Sequence, residues 1–300
     1  TSATLDYFLK MKFLVTGSAG LVGSQVVKDL VNQNHIVYSC YHDKLPNHGI
    51  PLQLDLTDSD KIIQTLQETK PDRIIHLAAM TNVDLCETEK ELATLLNLNA
   101  TETLAKQAAK QNIFFIYVST DYVFDGKQGM KKEDDATNPL GFYGKIKLKG
   151  ELAVNNLASN WCIARISTPF GIHQTKKSFP LWIKENLELK KEIPVLVDQF
   201  TSPTYVPNLS KMLIEIATKH IIGVIHLAGA SRISRYELAN MISDRLNLDK
   251  SLLKPTKTDE MSWKAQRPKD SSLDVSLATK ILNEKPQTIQ QSIELFLSEL

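Results

Sequence analysis

The chain has 300 residues, and its 35 lysines and arginines nearly balance its 34 aspartates and glutamates, which leaves a formal charge of +1. Hydrophobic residues make up 42% of it, which excludes a disordered chain, and the balanced charge excludes the basic surface that a nucleic-acid partner requires. The three cysteines, Cys40, Cys86 and Cys162, are widely spaced without a Cys-x-x-Cys pair, so neither a disulfide framework nor a metal site is expected.

Residues 1–10 precede Met11 and are predicted to be an N-terminal extension of the folded chain. They lack the long apolar core of a secretory signal. No stretch of the chain approaches the roughly 18 consecutive apolar residues that a membrane-spanning helix needs. The sequence therefore predicts a cytoplasmic protein with no membrane partner.

Short apolar runs that predict β-strands alternate with helical patterns over residues 11–168. The predicted strands cover residues 12–17, 35–41, 52–55, 73–78, 114–119 and 161–166. The predicted helices cover residues 21–34, 59–69, 87–111 and 141–156. This alternation is typical of an α/β fold, a Rossmann-like doubly wound parallel sheet with helices on both faces.

Beyond residue 168 the alternation becomes irregular. Helical patterns over 177–189, 207–219, 236–247 and 287–299 surround two short predicted strands at 195–198 and 224–228. We predict that residues 169–300 form mainly a smaller α/β lobe, from which some segments return to the first domain.

A glycine-rich turn joins the first predicted strand to the first predicted helix. Gly17, Gly20 and Gly23 allow a tight turn, a close approach of the backbone to a pyrophosphate, and close packing of the helix on the strand. The amides at the start of the helix can then bind the anion. This turn predicts that residues 11–168 are an NAD(P)-binding Rossmann domain.

The end of the second predicted strand bears on the choice of cofactor. NAD-binding proteins often place an acidic residue there, but alignment puts Tyr41 in that position, with His42 and Lys44 close by. Basic neighbours favour the extra phosphate of NADPH. Asp43 leaves NADH open as the cofactor, since an alignment at a loop can shift by two residues.

Tyr143 and Lys147 are four residues apart near the start of a predicted helix, so they share a face. An ammonium beside a phenol lowers the phenol pKa from about 10 towards the working range of an acid–base catalyst. Ser119 and Thr120 follow a predicted strand, where a hydroxyl can hydrogen-bond a substrate carbonyl and polarise it. The glycine turn, the strand-end hydroxyl and the Tyr-x-x-x-Lys pair occur in that order along the chain.

This set of motifs resembles the extended short-chain dehydrogenase/reductase family, and within it the dTDP-4-dehydrorhamnose reductases. The stretches that carry the resemblance are STDYVFDG (119–126), YGKIKLKGE (143–151), VDQFTSPTY (197–205), HLAGA (226–230) and RPKDSSLD (267–274). The resemblance covers nearly the whole chain. It implies NADPH-dependent reduction of the 4-keto group of a nucleotide-activated 6-deoxysugar, with residues 169–300 as the substrate-binding lobe.

The resemblance also implies a role for individual residues. Tyr143 donates the proton, Lys147 binds the nicotinamide ribose, and Thr120 hydrogen-bonds the carbonyl oxygen. The remaining cofactor contacts are Gly17, Ser18, Ala19, Gly20, Leu21, Val22 and Gly23 at the pyrophosphate, Tyr41, His42 and Lys44 at the adenosine ribose, Asp55 and Leu56 at the adenine, and Ala78, Ala79 and Met80 along the groove. The implied substrate contacts are Thr81, Val83, Asp121, Tyr122 and Arg267.

Two positions depart from the family pattern. Thr168 stands where the family has a tryptophan that would pack on the sugar, so the identity of the sugar stays open. Asp270 replaces an asparagine, and a carboxylate there is an unfavourable neighbour for a diphosphate unless Arg267 or Lys269 offsets it.

Two other functions remain open. One is an epimerase or dehydratase of the same superfamily, which keeps its nicotinamide bound and returns the hydride. The other is a non-catalytic, NADP-binding regulatory subunit like the β subunit of methionine adenosyltransferase, which resembles the same reductases. The expected partner is a nucleotide sugar, and the oligomeric state is open, with a homodimer compatible.

Overall fold

The protein is described by a computed structural model over residues 10–300, so the predicted extension lies outside the described residues except for Lys10. Its centre is a parallel sheet of seven strands: β1 (Lys12–Thr16), β2 (Ile36–Tyr41), β3 (Ile50–Gln53), β4 (Arg73–His76), β5 (Phe114–Thr120), β6 (Trp161–Ile166) and β11 (Gly223–His226). The strand order is β11-β6-β5-β4-β1-β2-β3. The predicted doubly wound α/β fold is thereby confirmed.

Six short strands form pairs outside this sheet. These pairs are β7 (Pro169–Phe170) with β10 (Thr204–Tyr205), β8 (Ile193–Leu196) with β13 (Leu253–Thr256), and β9 (Phe200–Thr201) with β12 (Ile233–Ser234). The helices are α1 (Leu21–Asn32), α2 (Ser59–Thr69), α3 (Val83–Thr88), α4 (Lys90–Thr94), α5 (Ala100–Lys110), α6 (Phe142–Leu157), α7 (Phe179–Glu188), α8 (Val206–Lys219), α9 (Arg235–Arg245), α10 (Ser276–Ile281) and α11 (Ile289–Ser298).

The centre of the sheet is buried on both faces because β5 is apolar at successive positions, not only at alternate ones. All residues of β5 are buried. Phe114 and Ile116 face a core that includes α1 and α8, whereas Phe115 and Tyr117 face a core that includes α2, α5 and α6. Alternate side chains of one strand thus hold helices on opposite faces and fix the sheet edge at which ligands bind.

A single predicted helix over residues 87–111 is wrong. The structure divides it into α3, α4, a π-helical turn (Leu95–Asn99) and α5. The break falls at Glu89, whose φ of −110° and ψ of 56° are not helical. In the π turn, the buried amide of Asn97 accepts from the Met80 N–H (2.7 Å) and donates to the Met80 carbonyl (3.0 Å). This pairing is long-range, so local periodicity could not reveal it.

A third core holds the C-terminal lobe together. It combines Phe170 of β7, Leu187 of α7, Leu238 of α9 and Phe296 of α11. In contrast, α8 packs on α1, and β11 pairs with β6, so these C-terminal elements belong to the central sheet and its covering layer. Within residues 10–300, no helix combines the length and apolar character that crossing a bilayer requires.

Candidate active site

A cleft of about 1000 Å³ opens at the carboxyl ends of the central strands. This is the edge at which open α/β sheets bind ligands. The predicted site residues that line it are Gly17, Ala19, Gly20, Leu21, Val22, Gly23, Tyr41, His42, Lys44, Asp55, Leu56, Ala78, Ala79, Thr81, Thr120, Asp121, Tyr143 and Lys147. Ser18, Met80, Val83, Tyr122 and Arg267 do not line it.

The glycine turn is held in a tight conformation that requires its glycines. Gly17 has a φ of +68°, which strains any other residue. The Gly20 N–H donates to the Gly17 carbonyl oxygen over 3.0 Å. A Cβ on Gly23 would lie 2.1 Å from that same oxygen. The turn therefore leaves room for close backbone approach and presents amides at the start of α1, which is what a pyrophosphate group needs.

Replacing Gly23 by Ala will push this turn away from α1, because the added methyl group clashes with backbone atoms that cannot rotate aside. We expect a loss of about 1–3 kcal/mol in the free energy of unfolding, measured by urea denaturation, and at least tenfold weaker binding of a dinucleotide, measured by calorimetry. Ser24→Ala, one residue along α1, is the matched control and should change neither. An unchanged dinucleotide affinity in Gly23→Ala would contradict the assignment of this turn.

Two predicted cofactor residues support the cleft from behind. The Ser18 hydroxyl is buried and donates to the Cys40 carbonyl (2.7 Å), so it ties the turn to β2. Met80 is held through its backbone by Asn97.

At one end of the cleft, His42 contacts Asp43 (2.9 Å) and lies 3.9 Å from Asp55. The hydrogen bond to Asp43 and the negative charges of both carboxylates raise the pKa of His42.

Tyr143 and Lys147 lie one turn apart at the start of α6. The Lys147 ammonium is buried, donates to the Val118 carbonyl (2.7 Å) and stands 4.0 Å above the Tyr117 ring. Burial lowers the pKa of Lys147 to about 7, and Glu151 acts to raise it. The ammonium is thus aimed at the end of β5 in the floor of the cleft.

The expected lowering of the Tyr143 pKa by Lys147 is not seen. Burial raises the pKa of the phenol, the Thr120 hydroxyl beside it acts in the opposite direction, and Asp121 raises it further. The physical reason is that Lys147 is directed at a backbone carbonyl, while Tyr143 stands among low-polarity and acidic neighbours. A phenol with a raised pKa keeps its proton at neutral pH and can donate it.

Asp121 is a buried carboxylate shared by hydroxyl groups from three parts of the chain. Its Oδ1 accepts from Thr120 (2.9 Å), and its Oδ2 accepts from Ser167 (2.8 Å) and Ser271 (2.6 Å). Burial raises the pKa of Asp121, and these three hydrogen bonds act to lower it. Both oxygens are therefore engaged within the protein, and one of them orients the Thr120 hydroxyl.

A buried ion pair lies behind this group. Glu151, one turn after Lys147 on α6, accepts from Arg165 through Nη2 (2.8 Å) and Nε (3.0 Å). Its Oε1 also accepts from the Ser119 hydroxyl (2.5 Å). Ser119 thereby donates to the buried ion pair, whereas the neighbouring Thr120 is the strand-end hydroxyl that lies beside Tyr143.

The structure shows the surroundings of Asp270 and Thr168, the two residues that depart from the family pattern. Asp270 is paired with Arg232 Nε (2.7 Å) and also accepts from the Ser272 hydroxyl (2.6 Å), so its charge is offset within the lobe, though not by Arg267 or Lys269. Thr168 lines the cleft with a φ of +40°. That conformation is costly for a β-branched residue.

Arg267 and Tyr122 lie next to the cleft and not in its wall. Arg267 Nη2 donates to Asp84 (3.0 Å), and its guanidinium stacks 4.0 Å from the Trp263 ring. Tyr122 stands edge-on to Tyr143, with ring centroids 5.9 Å apart. Val83 begins α3, and Thr81 borders the cleft just before it.

Arg235 is a cleft residue that sequence reasoning missed. It is the first residue of α9, and its guanidinium lies 4.9 Å from the Phe179 ring. Its charge and that of Arg267 both act to lower the pKa of Tyr122, although burial raises that pKa overall. No motif around Arg235 in the sequence indicates that its side chain reaches the cleft.

Comparisons with known proteins agree with this geometry. The sequence model of the RmlD substrate binding domain matches residues 11–300. The chain is 34% identical over 271 residues to the probable low-salt glycan biosynthesis reductase Agl14 of Haloferax volcanii, covering 89% of this chain and 90% of that protein. It is 33% identical to methionine adenosyltransferase 2 subunit beta of Bos taurus, covering 88% and 80%.

A solved structure is similar over the same length. The dTDP-4-dehydrorhamnose reductase of Bacillus anthracis in complex with NADP superposes with a TM-score of 0.88 at 29% identity, covering 97% of this chain and 100% of that one. Both lobes of the fold are included in this match.

Proposed function

Because the chain belongs to the RmlD substrate-binding-domain family, within the extended short-chain dehydrogenases/reductases, we propose that it is an NADPH-dependent reductase. Its proposed substrate is a nucleotide-activated 4-keto-6-deoxysugar, as in dTDP-L-rhamnose biosynthesis, and its proposed location is the cytoplasm. The observation that carries the proposal is that Thr120, Tyr143 and Lys147 line one cleft with the glycine turn.

The residues present fit a dinucleotide. The turn at Gly17 and Gly23 has no space for a Cβ, and the amides at the start of α1 suit a pyrophosphate. Leu21 and Val22 continue the same wall, while Ala78 and Ala79 border it with small side chains. The solved relative that carries NADP supports NADPH, and NADH stays an alternative because Asp43 and Asp55 stand near His42.

When bound, NADPH supplies a hydride to the keto carbon. Tyr143 holds the proton that the reduced oxygen takes, and its raised pKa keeps that proton in place until an alkoxide, a much stronger base, forms beside it. The Thr120 hydroxyl, which donates to Asp121 over 2.9 Å, would turn from Asp121 to donate to the carbonyl oxygen. Lys147, which lines the floor of the cleft, would hold the nicotinamide ribose.

Cationic side chains around Tyr122 suit the diphosphate of a nucleotide sugar. Arg235 lines the cleft, and Arg267, which is fixed by Asp84 and Trp263, lies beside Tyr122. Planar guanidinium groups bind phosphate oxygens through paired hydrogen bonds. Thr81, Val83 and Asp121 complete the proposed substrate side.

The proposal is tested with purified protein, NADPH and dTDP-4-keto-L-rhamnose. Oxidation of NADPH, followed at the nicotinamide absorbance band, is the expected result. No oxidation by a protein that binds NADPH would contradict it. In that case, tightly retained NAD with no net consumption of NADPH would indicate an epimerase or dehydratase.

A non-catalytic, cofactor-binding regulatory subunit is the second candidate, favoured by the 33% identity to methionine adenosyltransferase 2 subunit beta. Binding of NADPH without turnover of any keto sugar, together with a protein partner whose binding depends on the cofactor, would support it.

Replacing Asp121 by Asn will lower the turnover number by about 10- to 100-fold, the value of one or two well-oriented hydrogen bonds. An amide has one acceptor oxygen, so the three hydroxyls that now donate to Asp121 cannot all do so, and Thr120 loses its fixed orientation. Steady-state kinetics measure the change. Ser271→Ala removes only one of the donors and should lower turnover less than threefold. Unchanged turnover in Asp121→Asn would contradict the positioning role.

A further inference from the structure

The segment between β7 and α7, residues 171–178, crosses from the C-terminal lobe to the glycine turn, and we call it the strap. Its two ends are joined by a hydrogen bond in which the buried Ser178 hydroxyl donates to the Gly171 carbonyl (2.9 Å). Its middle reaches the glycine turn, where His173 Nε2 lies 3.2 Å from the Ala19 carbonyl oxygen. The strap therefore forms a direct link between the two lobes at the pyrophosphate turn.

The hydrogen bonds around His173 fix where its proton lies. Nδ1 accepts from the backbone N–H groups of Thr175 (3.2 Å) and Lys176 (3.1 Å), so it carries no hydrogen. Nε2 must then carry the hydrogen and donate it to Ala19. A neutral imidazole thus fixes the backbone of Lys176 with one nitrogen and the glycine turn with the other. Burial and the charges of Lys44 and Lys176 lower the pKa of His173, which keeps the ring neutral.

Three lysines line the cleft at this point, Lys44 from the Rossmann domain and Lys176 and Lys177 from the strap. Lys44 follows β2, Lys176 lies in the strap, and both line the cleft and lie close enough to His173 to affect its charge. Over residues 10–300, neither ammonium has a carboxylate within salt-bridge distance. The adjacent Lys177 differs, because its ammonium pairs with Glu185 at 2.6 Å. The nearby carboxylates of Asp43 and Asp55 face His42.

From this convergence we propose that Lys176 binds a phosphate group of the dinucleotide, opposite Lys44. The inference rests on the proposed function, since it concerns the same cofactor, and it adds a cofactor ligand from the lobe otherwise assigned to the substrate. Two unpaired cations facing one cleft are stabilised by an anion between them, and the amides of the glycine turn are directed at the same region. Cofactor binding then holds the strap against the Rossmann domain.

Lys176→Ala tests the proposal through direct binding, without turnover. The dissociation constants of NADPH and NADH are measured by calorimetry for the wild type, Lys176→Ala and Lys177→Ala. We expect Lys176→Ala to weaken binding about five- to twentyfold at low salt, the scale of an exposed charge-assisted hydrogen bond, with a smaller effect at high salt. Lys177→Ala, whose ammonium is held by Glu185, is the matched control and should stay within twofold.

The two cofactors identify which phosphate is bound. A loss confined to NADPH assigns Lys176 to the 2′-phosphate, whereas an equal loss for NADH assigns it to the pyrophosphate. Unchanged affinity for both cofactors overturns the inference and leaves the proposed function standing. A wild-type protein that binds neither cofactor overturns the proposed function and the inference with it.

His173→Ala supplies a second, independent readout. Without its anchor the strap should leave the glycine turn, so trypsin should cut after Lys176 severalfold faster while the thermal unfolding midpoint stays nearly unchanged. NADPH should slow this cleavage in the wild type. In Lys176→Ala, where trypsin can cut the strap only after Lys177, NADPH should slow cleavage far less. Equal protection by NADPH in both proteins would also overturn the inference.

Discussion

Replacing Tyr143 by Phe will lower the turnover number for reduction of the keto sugar by about 10²- to 10⁴-fold. The substitution removes one oxygen and its proton while the ring stays in place at the start of α6, edge-on to Tyr122. Since the lost interaction forms in the transition state, the turnover number should fall far more than the affinity for NADPH. Stopped-flow and steady-state measurements at the nicotinamide band would record it.

Tyr236→Phe provides the control for Tyr143→Phe. Tyr236 packs in the core of the C-terminal lobe, away from the cleft, so turnover should be unchanged. NADPH affinity of Tyr143→Phe should remain within about threefold of the wild type, which separates a lost proton donor from a disturbed cofactor site. Full activity in Tyr143→Phe would rule out the phenol as the proton donor and with it the mechanism proposed above.

Replacing Arg165 by Met will destabilise the protein by about 3–5 kcal/mol, because it leaves the buried Glu151 carboxylate without the counter-ion that is hydrogen-bonded to it. Both side chains are almost wholly buried, with 6% and 5% of their surfaces exposed. The Ser119 hydroxyl and the Lys147 charge remain near Glu151, but neither replaces the hydrogen bonds that Arg165 donates to it. Urea denaturation measures the loss in the free energy of unfolding.

A double substitution distinguishes the effect of the two buried charges from the effect of the volume that their side chains occupy. Arg165→Met with Glu151→Met removes both charges and should recover much of the lost stability, as replacing a buried ion pair by apolar groups often does. Arg245→Met breaks an exposed pair with Glu294 and should cost about 0–1 kcal/mol. If Arg165→Met were as mild as Arg245→Met, the buried pair would not be holding α6 to β6.

The framework of the cleft could be predicted because its signals are local. Strand β5 is a continuous apolar run, and the glycine turn lies between an apolar run and a helical pattern, so their positions follow from neighbouring residues alone. The spacing of Tyr143 and Lys147 on α6 is likewise a property of helix geometry. These signals need no knowledge of which distant segments meet.

Features that depend on distant contacts were missed or wrong. The break at Glu89 accompanies a π turn whose Asn97 binds the backbone of Met80, seventeen residues earlier. Arg235 reaches the cleft only because α9 packs in the C-terminal lobe. The pKa of Tyr143 is raised because the phenol is buried, although Lys147 is only four residues away along α6. Burial is a property of the whole fold and cannot be read from the spacing of two residues.

The hydrogen bond between Asp121 and Ser271 spans 150 residues of chain. During synthesis, β5 emerges from the ribosome well before the segment containing Ser271, so the full set of hydrogen bonds to Asp121 forms only when the chain is nearly complete. A chain that stops short of this segment would leave the buried Asp121 carboxylate with two of its three hydroxyl partners. The hydrogen bonding of this buried carboxylate is in this way completed late in the formation of the folded protein.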